Sequence, residues 1–189
     1  NTYFTMTYIF FAEGFEEIEA LAQVDILRRA GLNVTTVSVS GKKSVTGAHG
    51  VKVEADERFN DVDFSDATAF VLPGGMPGAT NLAAHSGLCE LLQYGAKNDC
   101  VLAAICASPL VFGRLGLLNN KRATIYPGME AELRQSVITH ALVEKDGKFI
   151  TGKGPAASFA FAYAIVDALK GRGASHDIAK GMLYTEVAL

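Results

Sequence analysis

The sequence predicts an α/β domain, a mainly parallel sheet with helices on both faces. Two patterns carry this. Short Val/Ile/Phe-rich runs alternate with longer segments of helical periodicity, and the runs are near-continuously apolar. Strands apolar on both sides belong to sheets covered on both faces, and β-α-β alternation makes neighbouring strands parallel. Size agrees: 189 residues, 49% of them hydrophobic, suit one domain over residues 1–189 with a sizeable core.

The elements follow in order. "YFTMTYIFF" (Tyr3–Phe11) reads as a buried strand. "FEEIEALAQVDILRRAG" reads as a helix: Ile18, Leu21, Ala22, Asp25 and Arg29 fall at helical intervals, and Gly31 stops it. "LNVTTVSVS" (Leu32–Ser40) is a second strand, and "KKSVTGAHGVKVEAD", with Gly47 and Gly50 between short Val runs, a hairpin. "TAFVLPGG" (Thr68–Gly75) is a strand that ends in a breaker cluster. Thr80–Asn98 is helical with a break near Ser86-Gly87; "CVLAAI" (Cys100–Ile105) is a strand and "ASPLVFGRLGLL" a helix. "KRATIYP" reads as a short strand and "AELRQS" as a helical turn. Two further strands flank the Asp146-Gly147 turn. Ala157–Gly171 is an apolar helix capped by Ser158 or Pro155, and a last helix covers Ser175–Met182.

Composition excludes several function classes. A formal net charge of −3, pI near 5.8 and no Lys/Arg run longer than a pair give no footprint for nucleic acid or for an anionic membrane. The apolar runs are shorter than the ~18–20 residues a spanning helix needs, and the N-terminus lacks the basic region and cleavage site of a signal peptide. Cys89, Cys100 and Cys106 are odd in number and irregularly spaced, so neither a disulfide framework nor a metal site is expected. A cytoplasmic protein is the expectation.

Ligands of such sheets bind beyond the carboxyl ends of the strands, which directs attention to three places. Cys106 ends "VLAAI" and precedes a helix, among the small residues Ala104, Ala107 and Ser108. A tight strand-to-helix turn needs small neighbours, as at a nucleophile elbow. A helix N-terminus there would lower the thiol pKa. Pro109 suits the first helical turn. A buried structural cysteine fits the same pattern, and periodicity alone leaves both readings open. At "LPGGMPGATNL", Gly74 and Gly75 let the backbone approach a ligand and offer N–H groups to an oxyanion, yet a plain turn reads the same. At "AEGFEEIEAL", Glu16, Glu17 and Glu19 suit a helix N-terminus by charge alone. Glu19, among Ile18, Leu21 and Ala22, is expected to face inward, where a buried carboxyl would exchange a proton with a thiol. None of the four histidines, His49, His85, His140 and His176, sits at these strand ends.

Taken together and in order, "EGFEEIEA", "DILRRAG", "LPGGMPGATNL", "AAICASP", "YPG", "VEKDGKFITGKGPAAS" and "FAYAIVDAL" resemble the ThiJ/PfpI superfamily over almost the full chain. The closer likeness is to its ThiJ-like branch, which includes the parkinsonism-linked protein deglycase. The resemblance implies a flavodoxin-like sandwich, a homodimer, and no metal or organic cofactor. It implies Cys106 as the reactive residue and Glu19 as its acid partner. It implies Gly74, Gly75 and Ala107 as an oxyanion pocket, with Gly154 and Pro155 in a loop beside it. Ala107 stands where PfpI-type proteases carry histidine, which argues against a Cys-His peptidase. Tyr126 stands where the human-type deglycase has a histidine before proline. His49 matches an arginine that reaches the site from the partner subunit. Activities ascribed to the family are glutathione-independent conversion of methylglyoxal to lactate and deglycation. Others are oxidative-stress sensing, redox-chaperone function and, by association only, thiazole monophosphate biosynthesis. Small reactive carbonyls are the expected substrates.

Overall fold

A computed structural model describes residues 4–187 of the chain. Its strands are β1 (Met6–Phe11), β2 (Val34–Ser38), β3 (Ser44–Thr46), β4 (Lys52–Glu54), β5 (Glu57–Arg58), β6 (Ala67–Leu72), β7 (Val101–Ile105), β8 (Arg122–Ala123), β9 (Val137–Ile138), β10 (Val143–Asp146) and β11 (Phe149–Gly152). The helices are α1 (Glu17–Arg29), α2 (Gly78–Ala84), α3 (Ser86–Lys97), α4 (Pro109–Arg114), α5 (Ser158–Lys170) and α6 (His176–Gly181). Seven strands form the central sheet in the order β10-β11-β7-β6-β1-β2-β5. All neighbours are parallel except the β10–β11 hairpin.

Period-2 alternation feeds two cores from one sheet. Ile9, Phe11, Val71, Ala103 and Ile105 pack on one face with Ile26 and Leu27 of α1 and Phe161, Ile165 and Val166 of α5. Tyr8, Phe10, Phe70, Leu72, Leu102 and Ala104 pack on the other with Leu82, Leu88, Leu92, Leu110 and Phe112 of α2, α3 and α4. Phe10 and Phe70 are fully buried, and each such side chain contributes about 1.5–3 kcal/mol. This is the expected doubly covered, mainly parallel sheet.

The chain runs from β1 outward to β2, then crosses back to β6 on the other side of β1. That reversal opens a crevice beyond the carboxyl ends of β1 and β6, with β7 next to it. Four differences from the sequence reading stand out. The first strand starts at Met6; Phe4 and Thr5 lie outside it, and Tyr3 lies outside the described residues. The helix after Cys106 is only Pro109–Arg114, because Gly116 takes a left-handed φ of +70° and the chain turns away. On α1 the Ile18–Leu21 stripe faces outward: Ile18 and Leu21 are exposed, while Glu17, Glu19, Ala20, Gln23, Ile26 and Leu27 are buried. Neither Pro155 nor Ser158 caps α5 with its side chain; Pro155–Ala157 forms a 3-10 turn and the Ser158 hydroxyl donates to the Pro155 carbonyl at 2.6 Å.

Candidate active site

Three strand ends meet at the crevice. Cys106 follows β7 directly and holds a φ of +63°, a conformation rare for a residue with a side chain. Its backbone is clamped on both sides. The Cys106 N–H donates to the Gly152 carbonyl at the end of β11 at 2.8 Å, and the Tyr126 N–H donates to the Cys106 carbonyl at 2.9 Å. The buried Ser108 hydroxyl donates to the Pro73 carbonyl, tying the start of α4 to the loop after β6. Strain at a single residue persists only where neighbours over-determine it, as here.

Glu19 reaches the thiol from α1. The Glu16 side chain caps that helix, accepting from the Glu19 N–H at 2.8 Å. The Glu16 N–H donates to the Gly74 carbonyl at 2.9 Å, and the Gly74 N–H donates to Glu19 Oε2 at 2.7 Å. Glu19 Oε1 is buried without a conventional hydrogen-bond partner, and the polar group left beside this carboxyl is the Cys106 thiol. Burial pushes the Glu19 carboxyl up to about 7, although the thiol and the Gly74 N–H both favour its charged form. Burial and the neighbouring Glu19 charge push the Cys106 thiol up to about 12, against the pull of the Gly75 and Ala107 N–H groups. The lowered thiol pKa expected from the helix N-terminus is therefore absent: α4 is short, and desolvation beside a carboxylate outweighs its dipole. Between about pH 7 and 12 the pair therefore holds one proton, on the sulfur.

The glycines leave room for this contact. A Cβ on Gly74 would stand 2.5 Å from Glu19 Oε2 and 2.6 Å from the Cys106 Cβ. Gly75, at φ +89°, would collide with the Glu16 backbone at 2.5 Å. Gly74 spends its N–H on Glu19, so Gly75 and Ala107 are the two whose N–H groups act on the sulfur.

Above the thiol lies a cavity of about 370 Å³, lined by Met76 from the loop after β6 and by Tyr126, Pro127 and Met129 from the segment after β8. Tyr126 to Met129 form a turn closed by the Met129 N–H on the Tyr126 carbonyl at 3.1 Å, with Gly128 at φ +92°. Sequence reasoning found Tyr126 but missed Met76 and Met129; the Tyr-Pro-Gly-Met turn chemistry was the available signal. Gly154 lies behind this pocket, its added Cβ 3.5 Å from the Tyr126 ring, and Pro155 follows it into the 3-10 turn.

His49 stands apart, exposed in the β3–β4 turn. Its Nδ1 lies 2.8 Å from Glu17 Oε2, and its N–H donates to Glu17 Oε1 at 2.7 Å. Hydrogen bonding to Glu17 raises the His49 pKa. Glu16, Glu17 and His49 gather their ligand atoms within 4.8 Å, the one such group among the described residues. Their hydrogen bonds to each other and to the Glu19, His49 and Val51 N–H groups account for that gathering. Cys89 and Cys100 have no comparable setting, and burial raises both thiols.

Fold and site together define a doubly wound α/β domain with a cysteine at a strand-to-helix elbow and a buried glutamate beside it. The chain belongs to the DJ-1/PfpI family, which matches residues 6–168. It is 33% identical to protein dj-1beta of Drosophila melanogaster over 177 residues, 93% of this chain and 95% of that one. The crystal structure of Drosophila melanogaster DJ-1beta superposes with a TM-score of 0.91 at 32% identity, over 98% of this chain and 99% of that one. It is also 38% identical to Arabidopsis thaliana protein DJ-1 homolog B over 91% of this chain, which spans 40% of that relative's length. Oxidised Toxoplasma gondii DJ-1 superposes at 0.89 with 31% identity, over 95% of this chain and 98% of that one. No helix among the described residues is long and apolar enough to cross a membrane.

Proposed function

We propose that the chain is a cysteine-dependent enzyme acting on small reactive carbonyls, of glyoxalase III or deglycase type. The observation that carries this reading is the elbow cysteine at φ +63° beside a carboxyl that ionises near 7. The pair supplies a nucleophile and a base that changes state at working pH. With a 2-oxoaldehyde, the Cys106 Sγ bonds to the aldehyde carbon and the thiol proton passes to Glu19. The Gly75 and Ala107 N–H groups stabilise the resulting oxyanion, and its protonation gives the hemithioacetal. Glu19 then moves the aldehyde-carbon proton to the neighbouring carbon through an enediol. The first carbon becomes a thioester and the second an alcohol. Water cleaves the thioester, freeing the thiol and a 2-hydroxy acid. One carbon is oxidised and its neighbour reduced, so no external oxidant or cofactor enters. A glycated amine would offer its carbonyl to the same sulfur.

Methylglyoxal loss with lactate formation tests this. Cys106→Ser is expected to abolish turnover and Glu19→Gln to reduce it by about 10²–10⁴-fold. Equal rates in wild type and Cys106→Ser would remove the covalent role. The reading includes a cytoplasmic location, where the free cysteines stay reduced, and a homodimer through the exposed face of α1.

A second reading, a redox sensor or chaperone, is favoured by one observation. A carboxyl protonated up to about pH 7 can donate to a sulfinate oxygen on Cys106, with the Gly75 and Ala107 N–H groups beside it. Graded peroxide followed by mass spectrometry is then expected to oxidise Cys106 before Cys89 or Cys100. Earlier oxidation of either would exclude the sensor.

A further inference from the structure

The cavity above Cys106 contains no Lys, Arg or His among its lining residues. Its only polar side-chain groups are the thiol itself and the Tyr126 phenol. Met76, 50% exposed, and Met129, half-buried against the second core, come from two different loops to border the same opening. Met76 adds nothing to either core, whereas Met129 packs partly on the second core and still borders the opening. A methionine side chain is apolar, polarizable and adaptable, which suits substituents of varied shape. Beneath the pocket the Glu19 carboxyl is the nearest ionisable group to the thiol. An anionic substituent brought here loses hydration, finds no cation among this chain's own lining residues, and meets the Glu19 carboxyl, of like charge once ionised.

We propose that Met76 and Met129 are specificity-determining residues that make the Cys106 pocket select uncharged electrophiles with apolar or aromatic substituents and reject carboxylate-bearing ones. As a statement about substrate this rests on the carbonyl-enzyme reading. As a statement about the pocket it holds for any reagent that reaches the sulfur.

Two measurements separate those statements. The first compares alkylation of Cys106 by iodoacetamide and iodoacetate, read by mass spectrometry and normalised to glutathione. The same displacement of iodide by sulfur occurs with both reagents, and they differ in charge. The iodoacetamide preference at Cys106 is expected to exceed that of glutathione at least tenfold, and Met76→Lys is expected to reduce it at least fivefold. The second compares turnover of phenylglyoxal and 4-carboxyphenylglyoxal to their 2-hydroxy acids. A preference of at least tenfold for the uncharged compound is expected, again narrowed by Met76→Lys. Met129→Leu, which keeps an apolar side chain of similar size, is expected to retain the discrimination in both.

A preference equal to that of glutathione, equal use of the two glyoxals, or selectivity unmoved by Met76→Lys would overturn the inference. Discriminating alkylation with no turnover of any dicarbonyl would overturn the carbonyl-enzyme reading and leave the pocket selectivity standing. Turnover without charge discrimination would do the reverse.

Discussion

At the scale of single residues, chemistry concentrates in one proton. An unfolded glutamate ionises near 4.5, whereas Glu19 in the folded chain ionises near 7. Between those values the folded chain binds one proton more than the unfolded chain, so stability falls as pH rises and the penalty is complete above about 7. Glu19→Gln is therefore expected to stabilise the fold by about 2–3 kcal/mol near pH 8 and to change little near pH 4, read by urea denaturation. The same titration predicts that kcat/KM climbs with pH to a plateau above about 7, and that Glu19→Gln removes this limb. Cys106 stood out in the sequence as a strand end flanked by small residues, although that local pattern fits a buried structural cysteine equally well. Glu19 was legible for an incomplete reason. The Ile18–Leu21 stripe that suggested its inward face points to solvent, and Glu19 is buried because Glu16 caps α1 and Gly74 holds its carboxyl. The direction of the thiol shift was not legible, since it depends on desolvation that only the assembled fold creates.

At the scale of elements, the site is a junction of loops after β1, β6 and β7, laced by the Glu16–Gly74–Glu19 hydrogen bonds. Gly74→Ala is expected to cost about 1–3 kcal/mol, because the new methyl meets Glu19, Cys106 and the Ile105 carbonyl within 2.7 Å. It is also expected to lower turnover by displacing Glu19. Calorimetry with a methylglyoxal assay separates the two effects. The strands, the α2–α3 break and the Asp146-Gly147 hairpin followed from periodicity and turn chemistry alone. The short strand read at "KRATIYP" is present as β8, whereas β5 and the separate β9 were not legible, because two-residue strands exist only through their neighbours' hydrogen bonds. The length of α4 was misjudged for a related reason. Its apolar tail, Leu115 to Leu118, packs on the second core without being helical.

At the scale of the whole molecule, parallel order and the reversal beside β1 place the three strand ends together, which explains why motifs nearly a hundred residues apart form one site. The exposed α1 face is the surface proposed for the homodimer. Ile18, Leu21, Val51 and Phe159 line one apolar groove, with Glu17 at its edge and His49 bonded to Glu17. As the proposed dimer surface, it predicts that Leu21→Lys or Ile18→Asp shifts the chain from dimer to monomer in sedimentation experiments. It also predicts that His49→Ala alters turnover if this residue serves the partner's pocket, an effect lost in the monomer. Sequence alone showed the apolar stripe but assigned it to the core, since periodicity cannot tell a core face from an interface.

The central claim is that Cys106 carries the substrate covalently, and adduct mapping during turnover tests it most directly. The chain is quenched while consuming methylglyoxal, digested and sequenced by mass spectrometry. No Lys or Arg separates Cys100 from Cys106, so fragmentation must distinguish them. The predicted result is one methylglyoxal equivalent on Cys106, transient in wild type, absent from Cys106→Ser, and accompanied by lactate only where Cys106 is present. Label spread evenly over Cys89, Cys100 and Cys106, with lactate formed equally by Cys106→Ser, would contradict it.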